Sequence, residues 1–294
     1  MFAVAAIPLG IGIALVGGAP LAGFLAIASA LASREFFRIA EGGGYRPFSA
    51  IGVGISALTP LAVYASYLGL WQPTLALPFG LVLGIMALML WRRGIDAQPL
   101  ASAAVTVIGV LYTAGMLSFG YAIRYNAYAY ADATMPWSAG GSGPVIASGG
   151  LLVLLPLLAT WASDTGAFAI GRRYGRRKLM PSVSPGKTMA GATGGLVATV
   201  VVVWVYTRFL MQPATQLGFK WAPAGILLFG AAISIAAQLG DLVESLLKRE
   251  AAVKNSSNLI PGHGGVLDRL DSLFFVLPVA YFLLDHLLIW APTP

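Results

Sequence analysis

Residues 221–249 read WAPAGILLFGAAISIAAQLGDLVESLLKR. The first twenty of them carry no ionisable side chain. About 20 mostly apolar residues are what a helix needs to cross the hydrocarbon layer. The run then changes character. Asp241, Glu244, Ser245 and Lys248 fall at i, i+3, i+4 and i+7, one face of a continuing helix, while Leu242, Val243, Leu246 and Leu247 fill the rest. A membrane span that ends in a polar stripe pointing into the protein is the theme of the whole chain.

The composition extends this reading. The chain has 294 residues, 58% hydrophobic and 10% charged, with a mean hydropathy of +0.81. A soluble domain carries roughly 25% charged residues, and one this apolar could not hide its surface. Cysteine is absent, which excludes a disulfide scaffold, a thiolate metal site and a cysteine nucleophile. The fold class expected is all-α, a polytopic integral membrane protein. Candidate spans are 2–17, 19–33, 49–70, 73–91, 100–123, 144–163, 188–210, 221–243 and 271–291, about nine transmembrane helices with a polar site facing the cytoplasm. The first has no basic leader and no small-residue cleavage site, so it reads as a retained segment and not a removed signal peptide.

The cations test the count. Fifteen of the eighteen Lys and Arg residues follow even-numbered spans: Arg34, Arg38 and Arg46; Arg92 and Arg93; the group from Arg172 to Lys187; and Lys248, Arg249, Lys254 and Arg269. Arg124, Arg208 and Lys220 fall on the other side. The positive-inside rule then puts the even-span loops and the N-terminus in the cytoplasm and the C-terminus outside. The net charge of +7 is this topology signal plus affinity for anionic headgroups, and calls for no nucleic acid. Residues 1–143 form an N-terminal membrane region of five spans. Residues 144–294 form a second, with cytoplasmic loops 171–187 and 248–270. The connection 124–143 carries Tyr125, Tyr128, Tyr130 and Trp137, aromatics suited to the membrane interface.

Nearly all the chemistry lies between 161 and 271. Asp164 sits near the cytoplasmic end of span six, where an intramembrane carboxylate faces a partner, a cavity or an ion. Loop 171–187 has six basic residues and no acid, and Thr188 opens the next helix. It reads as a topology anchor or as a polyphosphate site of cations, hydroxyls and a helix N-terminus. After span eight comes Pro261-Gly262-His263-Gly264-Gly265, a tight turn that brings backbone amides close to a ligand and displays one imidazole. Asp268 and Asp271 follow at i, i+3, on one face if helical. Asp241, Asp268 and Asp271 meet the same boundary on consecutive spans, and hard oxygen ligands of this kind suit magnesium with substrate phosphates. Carboxylates for a metal, cations for phosphates and a lipid-facing setting are the equipment for phosphoryl or nucleotidyl transfer to a membrane lipid.

The run Ser245, Lys248-Arg249, Lys254, Pro261-Gly262-His263-Gly264-Gly265 and Asp268-Arg269-x-Asp271 strongly resembles the phosphatidate cytidylyltransferase family. Asp164-Thr165-Gly166 with Gly171-Arg172, Ser184-Pro185-x-Lys187-Thr188 with Gly191, and Glu35-Phe36 agree with it. The resemblance covers about 161–272 and is architectural before that. It implies an all-helical, multi-span enzyme that makes CDP-diacylglycerol and pyrophosphate from CTP and phosphatidic acid in phospholipid biosynthesis, in a bacterial-type cytoplasmic membrane. It implies Asp241 and Asp268 as ligands of a catalytic Mg2+, with a second cation such as K+ nearby and Asp271 supporting the centre. Lys187, Lys248, Arg249 and Arg269 would handle phosphates. Lys254 and Asp164 join the substrate-binding candidates, and Ser184, Thr188 and Ser245 are hydrogen-bonding candidates. His263 would orient the turn or a phosphate and is not assigned as general base, because phosphatidate already presents an anionic oxygen.

Two places depart from the family pattern. Asn255 follows Lys254 where the family usually has Asp, and Met189-Ala190 stand where Trp-Glu is common. The first removes a carboxylate from the loop. A homodimer stays open. The competing classes are a degenerate family homologue, an ion-coupled transporter or channel using intramembrane carboxylates, and a CDP-alcohol phosphotransferase. The first five spans carry almost no ionisable residue to line an ion path, and the last class needs an Asp-Gly pair that this chain lacks.

Overall fold

The computed structural model describes residues 2–74, 76–92, 98–125, 143–211, 219–259, 262, 264–287 and 289–290. Tyr128, Tyr130, Trp137, Arg93, Pro261 and His263 lie outside them. Helices occupy all nine places expected. They are α1 (Phe2–Val16), α2 (Gly18–Gly42), α3 (Ser49–Tyr67), α4 (Ala76–Arg92) and α5 (Pro99–Val110). A π-helical turn, Leu111–Gly115, joins α5 to α6 (Met116–Arg124). Then come α7 (Gly143–Tyr174), α8 (Met189–Tyr206), α9 (Pro223–Glu250) and α10 (Leu267–Leu287). Among the described residues six helical runs are long and apolar enough to cross a membrane: 18–42, 49–67, 99–124, 149–174, 189–211 and 223–250. The count of nine spans is therefore an expectation from the sequence, beside six that meet length and hydropathy together.

Several boundaries move. Span two, placed at 19–33, continues as helix to Gly42, so Arg34, Glu35 and Arg38 are helical. Span six, placed at 144–163, continues to Tyr174. Arg172 and Arg173 are thus not loop residues; they lie in the last turn of α7, where cations face the negative end of the helix dipole. The rest of the expected loop is a hairpin of β1 (Lys178–Met180) and β2 (Ser184–Thr188), antiparallel, with Lys178 opposite Thr188. Thr188 leaves β2 in extended conformation and caps α8, its hydroxyl accepting the Gly191 N–H at 3.1 Å. A second small ladder pairs β3 (Phe219–Lys220) with β4 (Ile289–Trp290).

Apolar side chains cover much of the helix surface. On α4, Leu83 is 67% exposed and Trp91 81%, and Ile85 is its buried residue. Large apolar side chains exposed along a helix in this way are what a lipid-facing surface presents.

The chain divides into two compact units, each assembled from separate stretches. One comprises 1–18, 119–243 and 271–294; the other comprises 19–118 and 244–270. In the first, α7 and α8 form the most extensive helix pair. Gly166 lies against Gly194 and Ala198 so closely that a Cβ there would come within 2.5 Å of Ala198. Small residues allow backbones in lipid to approach like this, and van der Waals packing then drives the association. Ser163 on α7 and Ser234 on α9 share a buried hydrogen bond at 3.0 Å. Arg124, 1% exposed, donates to the carbonyls of Ala14 and Leu15 at 3.0 and 2.9 Å, which satisfies the C-terminal end of α1.

In the second unit Phe37 of α2 fills the space left by Gly52 on α3 and Gly109 on α5. The Phe48 N–H at the start of α3 donates to Thr106 of α5 at 2.9 Å. Tyr45, in the turn between α2 and α3, donates to Glu250 at 2.8 Å. That hydrogen bond, together with the carboxylate's charge, pushes the Tyr45 phenol above its ordinary pKa.

Candidate active site

Both units place an acidic side chain against a lysine, in different surroundings. In the second unit the helix α9 continues through Glu244 and Lys248, so the i, i+4 spacing read from sequence becomes a contact. Lys248 Nζ lies 2.6 Å from Glu244 and 2.7 Å from Asp268. Glu244 is fully buried and Asp268 nearly so. A buried charge of this kind persists only when paired, and here one ammonium joins two carboxylates.

Asp268 sits in the first turn of α10, where the exposed N–H groups of the helix favour an acid. Its Oδ2 accepts from the Ser256 N–H at 3.0 Å, the Ser256 hydroxyl at 2.9 Å and the Gly265 N–H at 2.8 Å. Its Oδ1 accepts from Lys248. The Gly-rich turn before it is required by geometry. Gly262 and Gly264 have φ of +74° and +82°, a region that side-chain-bearing residues rarely adopt. At Gly265 a Cβ would run into Ser256 and Glu35.

Glu35, which the sequence marked only as part of a resemblance, lies beside this centre and shares Ser256 with Asp268. It is 3% exposed. Its Oε1 accepts from the Ser257 hydroxyl at 2.6 Å and the Val266 N–H at 3.2 Å. Its Oε2 accepts from the Ser256 hydroxyl at 2.9 Å and the Leu267 N–H at 2.7 Å. The signal available in sequence was an acid followed by two aromatics at the end of an apolar span; its partners, more than 200 residues away, were not readable.

In the first unit Lys187 of β2 meets Asp241 of α9 at 2.8 Å, with both side chains partly exposed. Lys187 also approaches the Gln238 carbonyl at 3.4 Å, and Gln238 donates to the Ala192 carbonyl of α8 at 3.2 Å. These contacts fix the hairpin and the start of α8 to α9. One residue from Asp241, Gly240 packs on the backbone of Asp271 and Ser272, where a Cβ would meet the Asp271 carbonyl at 2.5 Å. Asp241 and Asp271 therefore lie at one level of two closely packed helices.

The other predicted residues are placed as follows. Arg249, Lys254 and Arg269 are exposed, Ser245 and Ser184 half-buried, and Asp164 exposed on α7. Thr188 is buried as the cap of α8, its hydroxyl engaged with the backbone. His263 lies outside the described residues. Asn255 is exposed beside Ser256.

A hard divalent cation takes oxygen donors. Among the described residues no group of three or more His, Asp or Glu forms a ready-made cage. Magnesium does not need one, since it binds through one or two carboxylates and completes its shell with water and substrate phosphate. Asp241 and Asp268 each present a carboxylate whose present neutralising partner is a lysine. Their oxygen chemistry fits the ion.

The Cytidylyltransferase family pattern matches residues 1–287. The chain belongs to this family. Within the family it is similar to the phosphatidate cytidylyltransferase of Haemophilus influenzae, with 46% identity over 132 residues, 45% of each chain. It is also similar to that of Bacillus subtilis, with 44% identity over 124 residues, 42% of this chain and 44% of the other. An uncharacterised Escherichia coli protein, YnbB, is 36% identical over 178 residues, 60% of this chain and 56% of its own. The chain spans less than half the length of the Haemophilus and Bacillus relatives it matches. Family membership does not favour a transporter or channel.

Proposed function

We propose that the protein transfers CMP from CTP to phosphatidic acid, giving CDP-diacylglycerol and pyrophosphate, in phospholipid biosynthesis at the cytoplasmic face of a bacterial-type membrane. The observation that carries this reading is the Asp268 centre. An acid drawn from the most family-like stretch of the sequence is held by three donors and a lysine, in a chain similar to named phosphatidate cytidylyltransferases.

In the reaction an anionic phosphate oxygen of phosphatidate attacks the α-phosphorus of CTP. A new P–O bond forms, the bond to the β-phosphate oxygen breaks, and pyrophosphate departs with the electron pair. The nucleophile is already ionised, so no general base is needed. The work of the protein is to bring two polyanions together and hold them in line. The exposed cations Arg249, Lys254 and Arg269, and Lys187 on the hairpin, suit phosphates arriving from the aqueous side. Lys248, held between Glu244 and Asp268, sets the local charge. Asp241 and Asp268 would hold magnesium, supported by Asp271, and the ion would neutralise charge on the transferring phosphate and the leaving group. A second cation such as K+ belongs to the same reading, as do the cytoplasmic N-terminus and outside C-terminus.

Ser184, Thr188, Ser245, Asp164 and His263 remain candidates for binding or orienting substrate, with Thr188 acting through the cap of α8. Residues 144–294 carry the chemistry in this proposal, and residues 1–143 supply most of the membrane body. The test is purified protein in detergent with labelled CTP, Mg2+ and phosphatidate. CDP-diacylglycerol and pyrophosphate should form in equal amounts; formation of neither sinks the proposal.

A further inference from the structure

Among the described residues, Glu35 is a buried acid that the mechanism above does not use. We infer that Glu35 is a positioning residue for Asp268, acting through Ser256, Ser257 and residues 265–267, which the two acids hold. The inference rests on the nucleotidyl-transfer reading and deepens it.

Glu35 comes from α2, far in sequence from the segment it binds. Both its oxygens are engaged, each with one serine hydroxyl and one backbone N–H. The two backbone donors, Val266 and Leu267, are the approach and first residue of α10. They belong to the set of N–H groups that a helix start leaves without internal partners. Glu35 therefore acts as a capping acid supplied from another helix, and it fixes where α10 begins. Asp268 is the next residue. Its direction depends on that first turn.

The two acids also share Ser256. The Ser256 hydroxyl lies 2.9 Å from Glu35 and 2.9 Å from Asp268, while the Ser256 N–H donates to Asp268. The hydroxyl has one hydrogen, so it links the carboxylates without satisfying both at once. Gly265 permits this closeness, because any Cβ there would collide with Ser256 and Glu35. Two backbone N–H groups and the shared Ser256 hydroxyl face Asp268 Oδ2, so that oxygen is committed to the protein and Oδ1 is left toward Lys248. A carboxylate oriented in this manner is pre-set for a single ligand direction. Outer partners of this kind are worth about 10- to 100-fold in metal affinity or activity.

Glu35→Gln tests the idea, since it keeps the shape but turns one oxygen into an NH2 group facing a hydroxyl and a backbone N–H. Glu35→Asp keeps the charge with a shorter reach. Ser257→Ala removes one bond to Glu35 and leaves those to Asp268. Each would be purified as the full chain and read in two ways. Amide exchange should accelerate in residues 256–268 of Glu35→Gln and stay unchanged in α3 and α5. The Mg2+ concentration for half-maximal rate should rise about tenfold in Glu35→Gln, less in Glu35→Asp and least in Ser257→Ala.

A fall in maximal rate with the Mg2+ dependence unmoved would overturn the positioning role, leaving Glu35 as a structural residue. Unchanged exchange in 256–268 would overturn the inference outright. If Glu35→Gln does not fold, the graded order of the other two decides between the same outcomes. If the unaltered protein makes no CDP-diacylglycerol, the parent reading fails, and the exchange measurement by itself still upholds or overturns the hold of Glu35 on the segment.

Discussion

Two aspartate–lysine pairs carry the candidate chemistry, and they are built differently. Asp268–Lys248 is shut into its unit. Glu244 lies on the far side of the lysine, Ser256 and Gly265 hold the acid, and Glu35 holds the turn. Asp241–Lys187 joins a helix to a hairpin with both side chains partly exposed, and its lysine has one further contact, to a carbonyl. The first pair is over-determined, and the second can open at small cost. Preorganised groups contribute to transfer chemistry because they need no rearrangement at the moment of reaction, whereas a partly solvated pair can exchange its lysine for an arriving cation or phosphate. On the proposed reading, Asp268 is the fixed post of the site and Asp241 its adjustable one.

The largest effect expected is on turnover. Asp268→Ala and Asp241→Ala should each abolish CDP-diacylglycerol synthesis while the protein still expresses, and near-normal rates in either would remove it from the metal assignment. The two should part in stability. Asp268→Ala leaves several buried donors without an acceptor and should lower the unfolding temperature in detergent, while Asp241→Ala should leave it close to the parent's. Equal shifts would dissolve the contrast between the pairs.

Next comes the lysine exchange. Lys248→Met leaves Glu244 and Asp268 buried beside each other with their shared cation gone, a change worth about 3–5 kcal/mol in comparable buried pairs. Lys187→Met touches a partly exposed pair and should cost about 0–1 kcal/mol, with its effect appearing in kcat/KM for CTP instead. Chemical unfolding of the two variants side by side reads both numbers, and a Lys187→Met loss as large as that of Lys248→Met would show the second pair to be equally built in.

The smallest effect concerns the loop beside the fixed pair. Asn255 is exposed, and Asn255→Asp restores the residue usual in the family. Activity measured at saturating substrate should hold or rise; a large loss would give this Asn a role of its own.

The helices were legible because lipid imposes a single demand. Backbone groups without water must bond within their own segment, so long apolar runs have one outcome. That reasoning placed a described helix in each expected span, six of the helical runs being long and apolar enough to cross a membrane, and it stopped short of their polar ends. Spans two and six were placed at 19–33 and 144–163, and their helices run on to Gly42 and Tyr174. Local backbone bonding continues past the lipid boundary, and Gly166 and Gly171 stay helical where α8 packs against α7. The hairpin 178–188 was missed for a related reason: six cations in a short stretch read as a cytoplasmic loop, a topology anchor or a polyphosphate site, and no strand alternation marks it. At the candidate site, the sequence singled out Asp241, Lys248, Asp268 and the Gly-rich turn as expectations, and the structure pairs each of the two aspartates with a lysine. It could not pair Lys187 with Asp241, which are 54 positions apart, and it could not find the work of Glu35.

The sequence by itself determined the membrane setting, the all-helical class and the family, and it singled out the acids of the candidate site. These follow from composition, from periodicity along one segment and from a local motif, all of which are properties of neighbours in the chain. Only the tertiary structure decided which lysine neutralises which acid, which aspartate is buried, and that an acid of the second helix caps the tenth. Those outcomes depend on desolvation and on donors brought together across long loops, and a charge acquires its cost and its partner only when the helices have packed around it.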